Sequence, residues 1–251
     1  MAVIDRWPNY RPGDLQNRPT KEDFTMHLQL RHILDRELAA LDANILKLTS
    51  MVDEAIVLAM KALYDRDTNL AHQVIVGDRA INLLRYEIEE ECFRILATQQ
   101  PTATDLRTVI AATHLAVELE RMGDHAAGIA RLVERLDEEE AFDSLHKLPK
   151  MADRCREMLQ EAVQAFIKRD AKQADSLFKR DDKLDKHYNK LVKETLPEMT
   201  DNSYIRRATF LLWVGHNLER IGDRAINIAE RVIFMKTGHF VEDAVIIQPY
   251  S

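Results

Sequence analysis

Apolar residues recur at intervals of three and four along most of this chain. Leu211, Val214, Leu218, Ile221, Ala225, Ile228 and Val232 form one such stripe, spaced as the buried face of an α-helix requires. No stretch shows the sustained apolar–polar alternation of a strand, so the pattern predicts an all-α protein. Six helices are expected, at about 23–65, 68–99, 103–140, 149–169, 171–196 and 203–237. Pro101 and Thr102 separate the second from the third. Pro149 suits the first turn of the fourth, where a missing N–H costs nothing. Pro197 and the polar run TDNS separate the fifth from the sixth. Short connections imply antiparallel neighbours. Residues 1–24 read as an irregular N-terminal arm. Residues 238–251 read as an extended or disordered tail, with an AVII patch that would dock on the body or on a partner.

The pattern is written twice. ELERMGDHAAGIA (118–130) returns as NLERIGDRAINIA (217–229), with eight of thirteen positions identical. Upstream, 62–82 aligns without gaps on 165–185, matching Ala62/Ala165, Arg66/Arg169, Asp67/Asp170, Ala71/Ala174 and Asp78/Asp181. Such duplication fixes architecture. It predicts two tandem, similar three-helix bundles, 25–142 and 143–237, packed side by side.

Composition narrows the function classes. Of 251 residues 46% are apolar and 31% charged, with 35 basic against 42 acidic side chains and a net charge of −7. The basic surplus of a nucleic-acid binder is missing. No apolar run reaches the roughly 20 residues that span a bilayer. The N-terminus lacks the basic start and apolar core of a signal peptide, so a cytoplasmic location is expected. Cys92 and Cys155 fall inside amphipathic helical pattern and read as buried reduced thiols.

Candidate chemistry lies in paired carboxylates. On the last helix Glu219 and Asp223 share a face opposite the apolar stripe, with Asn227 and His216 beside them; the third helix places Glu120, Asp124 and Gly128 correspondingly. Asp181 and Asp185 make a second pair on the fifth helix, at the flank of its apolar stripe. Since the fifth and sixth helices are antiparallel neighbours, four carboxylates are expected to meet in one cleft. Like charges four apart repel, and clustered carboxylates oppose folding unless a hard cation joins them. All-oxygen ligation points to magnesium, manganese, calcium or iron. The bland alternative is a solvated face neutralised by Arg220, Arg224, Lys183 and Lys186. In the first half Asp78, Glu120 and Asp124 recur, but Asn82 stands where the second half has Asp185, so weaker binding is expected there. Gly123 and Gly222 sit beside these pairs at a cost of roughly 0.5–1 kcal/mol each relative to alanine. Close helix packing is the simpler explanation, and room for an ion the sharper one. Arg107 and Arg206, at matching positions, would bind an anion or pair with an acidic neighbour.

LERMGDHA, LERIGDRAINIAE and QQPTATDLR (99–107) resemble the repeated signature of the PhoU family, regulators of bacterial phosphate uptake. The resemblance spans about 25–237. It implies two three-helix bundles, with metal held at Asp78, Asn82, Glu120 and Asp124 and at Asp181, Asp185, Glu219 and Asp223. The ions implied are divalent or trivalent, among them iron, magnesium, manganese and zinc. It also implies negative regulation of phosphate uptake and the starvation response, and contacts with the phosphate-transporter ATPase and a sensor histidine kinase. A homodimer that meets the membrane only through its partners is implied as well. Two readings compete with this one. A ferritin-like di-metal oxidase expects Glu-x-x-His, and none of the nine histidines follows Glu at that spacing. A purely structural adaptor would leave the acidic faces solvated. No Gly-rich phosphate loop or nucleophile–base arrangement supports an enzyme.

Overall fold

The computed structural model describes residues 21–136, 145–200 and 202–241. Among these residues there are seven α-helices, one 3-10 turn and no strand. The helices are α1 (Lys21–Asp65), α2 (Thr68–Gln99), α3 (Ala103–Arg135), α4 (Leu148–Lys168), α5 (Ala171–Asp175), α6 (Phe178–Thr195) and α7 (Asn202–Thr237), with the 3-10 turn over Leu196–Thr200. Helices α1, α2 and α3 pack on one another, and α4 to α7 form the second bundle. The all-α expectation of two three-helix units therefore holds.

Three boundaries differ from expectation. Residues 21–24, read as part of the irregular arm, already belong to α1. The third helix ends at Arg135, and 137–144 lie outside the described residues, as do 1–20 and the AVII patch at 244–247. The fifth helix is interrupted between α5 and α6. There the Ser176 hydroxyl donates to the Gln173 carbonyl at 2.7 Å, and its N–H is shared between Lys172 and Gln173 at 3.2 Å each. A serine hydroxyl competing for a backbone carbonyl weakens the helical ladder locally.

The repeated Ala…Arg-Asp motif is a helix-ending device used twice. Arg66 and Arg169 both adopt left-handed backbone, with φ of 54° each. The following N–H, of Asp67 or Asp170, bonds back to the Ala62 or Ala165 carbonyl at 3.0 and 2.9 Å, satisfying the helix C-terminus. The same aspartates then cap the next helix. Asp67 accepts from the Leu70 N–H at 2.9 Å, and Asp170 from Lys172 and Gln173 at 2.9 and 3.1 Å. A left-handed residue other than glycine costs on the order of 1–3 kcal/mol, and here each arginine side chain offsets it. Arg66 donates to the Leu136 carbonyl. Arg169 donates to the Ile167 carbonyl at 2.6 Å and to Asp42 at 3.3 Å.

One continuous hydrophobic core joins the bundles, with α3 against α7 and α1 against α4. Polar ties reinforce both seams. Arg156 of α4 grips Asp53 of α1 with two bonds, at 2.7 and 3.0 Å. Glu118 of α3 accepts from Arg224 and Asn227 of α7 at 3.3 and 3.1 Å. Arg107 donates its Nε to the Met235 carbonyl at 3.0 Å, placing a cation on the C-terminal turn of α7, where the helix dipole favours one. The guanidinium of Arg206 lies over the Phe210 ring.

Candidate functional site

In the second bundle α6 and α7 bring the predicted carboxylates into one electrostatic neighbourhood. Burial pushes Asp181 up to about 6, and the surrounding charges add to the effect in the order Asp185, Asp223, Asp182 and Glu219. Every one of these neighbours is an anion. Asp185, Asp223 and Glu219 are all felt by Asp181, and Asp182 with them, but the four side chains expected to meet in one cleft are not drawn together closely enough to hold an ion among the described residues. The Asp181-Asp182 doublet was the signal that sequence reasoning passed over. Two members are also held from outside the group. His216 Nδ1 lies 3.1 Å from Glu219, and Arg220 donates to Asp223 at 2.7 Å.

In the first bundle the corresponding group is more nearly compensated. Asp78 is raised chiefly by burial and then by Asp124, while Arg131 opposes the shift. Glu120 is raised by burial and Asp124, against Arg85, whose Nη2 stands 3.9 Å away. Asn82, the residue lacking a charge, donates its amide to Asp78 Oδ2 at 3.3 Å and to the Asp78 carbonyl at 3.1 Å. It serves Asp78 as a donor. The other oxygen, Asp78 Oδ1, is buried without a hydrogen-bond partner.

The two glycines lie at the bottom of these groups. A Cβ on Gly123 would come within 3.0 and 3.1 Å of Ile81 and 3.5 Å of Asp78 Oδ1. At Gly222 it would overlap the Leu184 side chain and stand 3.6 Å from Asp181 Oδ1. Ile81 and Leu184 each follow their aspartate by three residues, one helical turn along the same face. Each glycine therefore admits a large apolar side chain and an acidic oxygen from the neighbouring helix to its own backbone. The glycines serve close packing: the space each leaves is taken by Ile81 or Leu184.

Other expected members belong elsewhere. Asn227 does not line the acidic cleft; it donates to Glu118 across the α3–α7 seam. Gly128, its counterpart, faces Asn217, whose Oδ1 a Cβ would approach to 2.9 Å. Asn217 in turn lies 3.1 Å from His125 Nδ1. These positions serve the contact between bundles. Cys92 and Cys155 are buried free thiols. Burial pushes Cys92 up to about 11 and raises Cys155 as well, so neither is poised as a ligand or nucleophile.

An oxygen-only donor set of this kind fits a hard cation, and the orphaned Asp78 Oδ1 is an acceptor that a cation would satisfy. Among the described residues no three His, Cys, Asp or Glu side chains are drawn close enough to hold an ion between them. Ligation would require Asp223 to turn from Arg220 and Glu219 from His216.

A model of the PhoU domain matches the chain twice, over 45–133 and 148–232. The phosphate-specific transport system accessory protein PhoU homolog of Clostridium acetobutylicum is 35% identical over 214 residues, covering 84% of this chain and 98% of that protein. The homolog of the same description from Pseudomonas aeruginosa is 36% identical over 220 residues, covering 87% and 90%. The crystal structure of the phosphate transport system regulatory protein PhoU from Streptococcus pneumoniae superposes with a TM-score of 0.77 at 36% identity, covering 83% of this chain and 99% of that one.

Proposed function

The chain belongs to the PhoU family, and on that footing we propose that it is a non-enzymatic regulator of phosphate uptake and phosphate-starvation signalling. The observation carrying this reading is that both bundles match the family domain and that nearly the whole length of relatives named as phosphate-transport accessory proteins is covered. On this reading it works in the cytoplasm by contact with a phosphate-transporter ATPase and a sensor histidine kinase. No helix among the described residues is long and apolar enough to cross a membrane, which suits a protein brought to the bilayer by partners. Deleting the gene and following a phosphate-starvation reporter in high phosphate tests the proposal. Derepression is expected; repression unchanged by the deletion overturns it.

Metal forms part of the proposal. Asp181, Asp185, Glu219 and Asp223 would hold an ion in the second bundle, and Asp78, Glu120 and Asp124, assisted by Asn82, would hold one less tightly in the first. The cation would supply positive charge to groups of like-charged oxygens. The Arg220–Asp223 ion pair and the His216–Glu219 contact favour a second reading, in which basic and polar side chains do this work and the protein is a metal-free adaptor. Chelation separates the two. A fall in melting temperature restored by iron, manganese or magnesium supports the metal centre, and an unchanged melt supports the adaptor.

A further inference from the structure

Helix α6 has a basic edge as well as an acidic one. His187 follows Asp185 by two residues, about 200° around the helix, and its surroundings reverse those of Asp181. Burial pushes it down from its ordinary value, and the charges of Arg154, Lys150, Lys147 and Lys190 add to the effect in that order. All four are cations. Its Nδ1 is buried without a hydrogen-bond partner among the described residues, an uncommon condition for a polar atom in a folded protein. Helices α4 and α6 run antiparallel here. Arg180 reaches Glu161 at 2.6 Å, while Lys147 and Lys190 approach Glu194 at 3.8 and 3.7 Å. Neither lysine contact is as short as a hydrogen bond, so one carboxylate is shared loosely by two ammonium groups. Arg154 pairs with Glu157 at 3.0 Å, and Lys150 lies exposed between Lys147 and Arg154.

The duplication shows that the fold does not need these charges. Continuing the register that pairs Asp78 with Asp181 sets Lys147 against Asn44, Arg154 against Met51, His187 against Leu84, Lys190 against Glu87 and Glu194 against Glu91. The contacts keep that register, since Asn44 donates to Glu91 at 2.8 Å where Lys147 approaches Glu194. Leu84 fills the core of the first bundle, 4% exposed, at the position His187 takes in the second. An amide, a methionine, a leucine and a glutamate thus satisfy the first bundle where the second carries three cations and an imidazole. Gathered like charges repel. In a chain of net charge −7, such a local positive field favours a ligand of opposite sign.

We propose that the α4–α6 face around His187 binds a diphosphate group, free or as the pyrophosphoryl end of a nucleotide, through Lys147, Lys150, Arg154 and Lys190. Lysine ammonium groups bind phosphate oxygens as point charges, and arginine adds a planar fork. Three lysines against Glu194 leave an excess of positive charge even with Arg154 counted as neutralised by Glu157. A single phosphate brings at most about two negative charges, and a diphosphate brings more. The run from Lys147 to Arg154 is about 10 Å long at 1.5 Å per residue. That exceeds one phosphate group and is short for a docked helix or a nucleic-acid strand. An acidic protein segment would spread single charges along its length, whereas these cations gather about one imidazole. A phosphate oxygen would also give His187 Nδ1 the partner it lacks.

Isothermal titration calorimetry on the full chain, freed of metal by chelation and dialysis, tests the inference. The probes are pyrophosphate, orthophosphate, sulfate, adenosine diphosphate and a polyglutamate peptide, with circular dichroism confirming unchanged helicity in each variant. Pyrophosphate should bind saturably and at least about tenfold more tightly than orthophosphate or sulfate. Lys150→Glu combined with Lys190→Glu should weaken it at least about tenfold, while Lys47→Glu, at the matching position of the first bundle, should leave it within about twofold. Glu194→Gln removes the competing carboxylate and should tighten binding about threefold. His187→Leu copies the first bundle and should fold normally yet bind pyrophosphate less tightly. Adenosine diphosphate binding as pyrophosphate does supports a site that reads the diphosphate alone, and tighter binding supports one that extends over the nucleoside. Absence of saturable pyrophosphate binding overturns the proposal, as does affinity unmoved by the double charge reversal. So does sulfate binding as tightly as pyrophosphate, or polyglutamate binding more tightly. None of these failures touches the regulatory reading, which the reporter experiment decides separately.

Discussion

Asp181 is the group whose charge costs the fold most in the absence of a cation, and replacing it with asparagine should stabilise the metal-free protein. Its folded pKa is raised from 3.8 to about 6 by burial and by Asp185, Asp223, Asp182 and Glu219. A group that holds its proton more tightly when folded favours the folded state at low pH and opposes it once ionised. Stability is thus lost as pH rises from about 4 to about 6, and the full penalty applies at neutral pH. At 1.36 kcal/mol per pKa unit the shift corresponds to about 3 kcal/mol. The carboxylate is only half-buried, so solvent screening reduces this to roughly 1–1.5 kcal/mol. In a chain of this size that is about 2–6 °C of melting temperature. Thermal melts of Asp181→Asn and the parent, both in chelator at pH 7.5, should show this gain. At pH 4.5, where the parent carboxyl is mostly protonated when folded, the gain should shrink to about a third. Asp181→Asn melting below the parent in chelator at pH 7.5 would refute the reasoning, as would a gain independent of pH.

Three further outcomes follow from the same geometry. Metal analysis after loading should show a larger loss of bound ion in Asp223→Ala than in Asp124→Ala, and the reverse ranking would count against the second bundle as the stronger site. Gly222→Ala should destabilise by about 1–2 kcal/mol, because overlap with buried Leu184 outweighs the gain in helix propensity; Gly123→Ala, meeting Ile81 at 3.0 Å, should lie within about 0.5 kcal/mol of the parent by the same balance. Arg169→Ala removes the cation from Asp42, whose carboxyl is already raised by burial. It should cost about 2 kcal/mol in a urea titration at pH 7, shrinking as pH falls and Asp42 protonates, and a deficit that grows on acidification would contradict the assignment.

The fold was legible because its signals are local and repeated. A three- and four-residue apolar period over long proline-free stretches leaves helices as the economical solution, and duplication turns six helices into two bundles. The break in the fifth helix was not legible, since it depends on whether the Ser176 hydroxyl turns to a carbonyl or to water. The carboxylate groups were visible as i, i+4 spacings, yet a helical wheel gives only direction and not distance. It placed Asn227 with Glu219 and Asp223 although α3 lies close enough to claim its amide through Glu118. For the same reason Arg107 could be narrowed only to an anion site or an ion pair, when it meets a backbone carbonyl of a helix 128 residues further along. The repeated Arg-Asp pair was visible as an identity; its left-handed backbone was not, because arginine does not advertise a positive φ as glycine does.

Comparing the halves residue by residue gives the asymmetry a physical direction. Duplication set an aspartate beside a glycine in each bundle, and each copy then met the same problem of like-charged oxygens in a half-buried place. The first bundle meets it with its own side chains. Asn82 donates where α6 offers Asp185, while Arg131 and Arg85 counter Asp78 and Glu120. In the second bundle the leading influences on Asp181 after burial are four anions, while Arg220 and His216 engage the outer members Asp223 and Glu219. Such an arrangement strains the empty protein most where it would hold a cation best, since the repulsion a cation relieves adds to its binding free energy. Stability lost in chelator and stability recovered with metal should consequently be coupled most tightly at Asp181 and only weakly at Asp78.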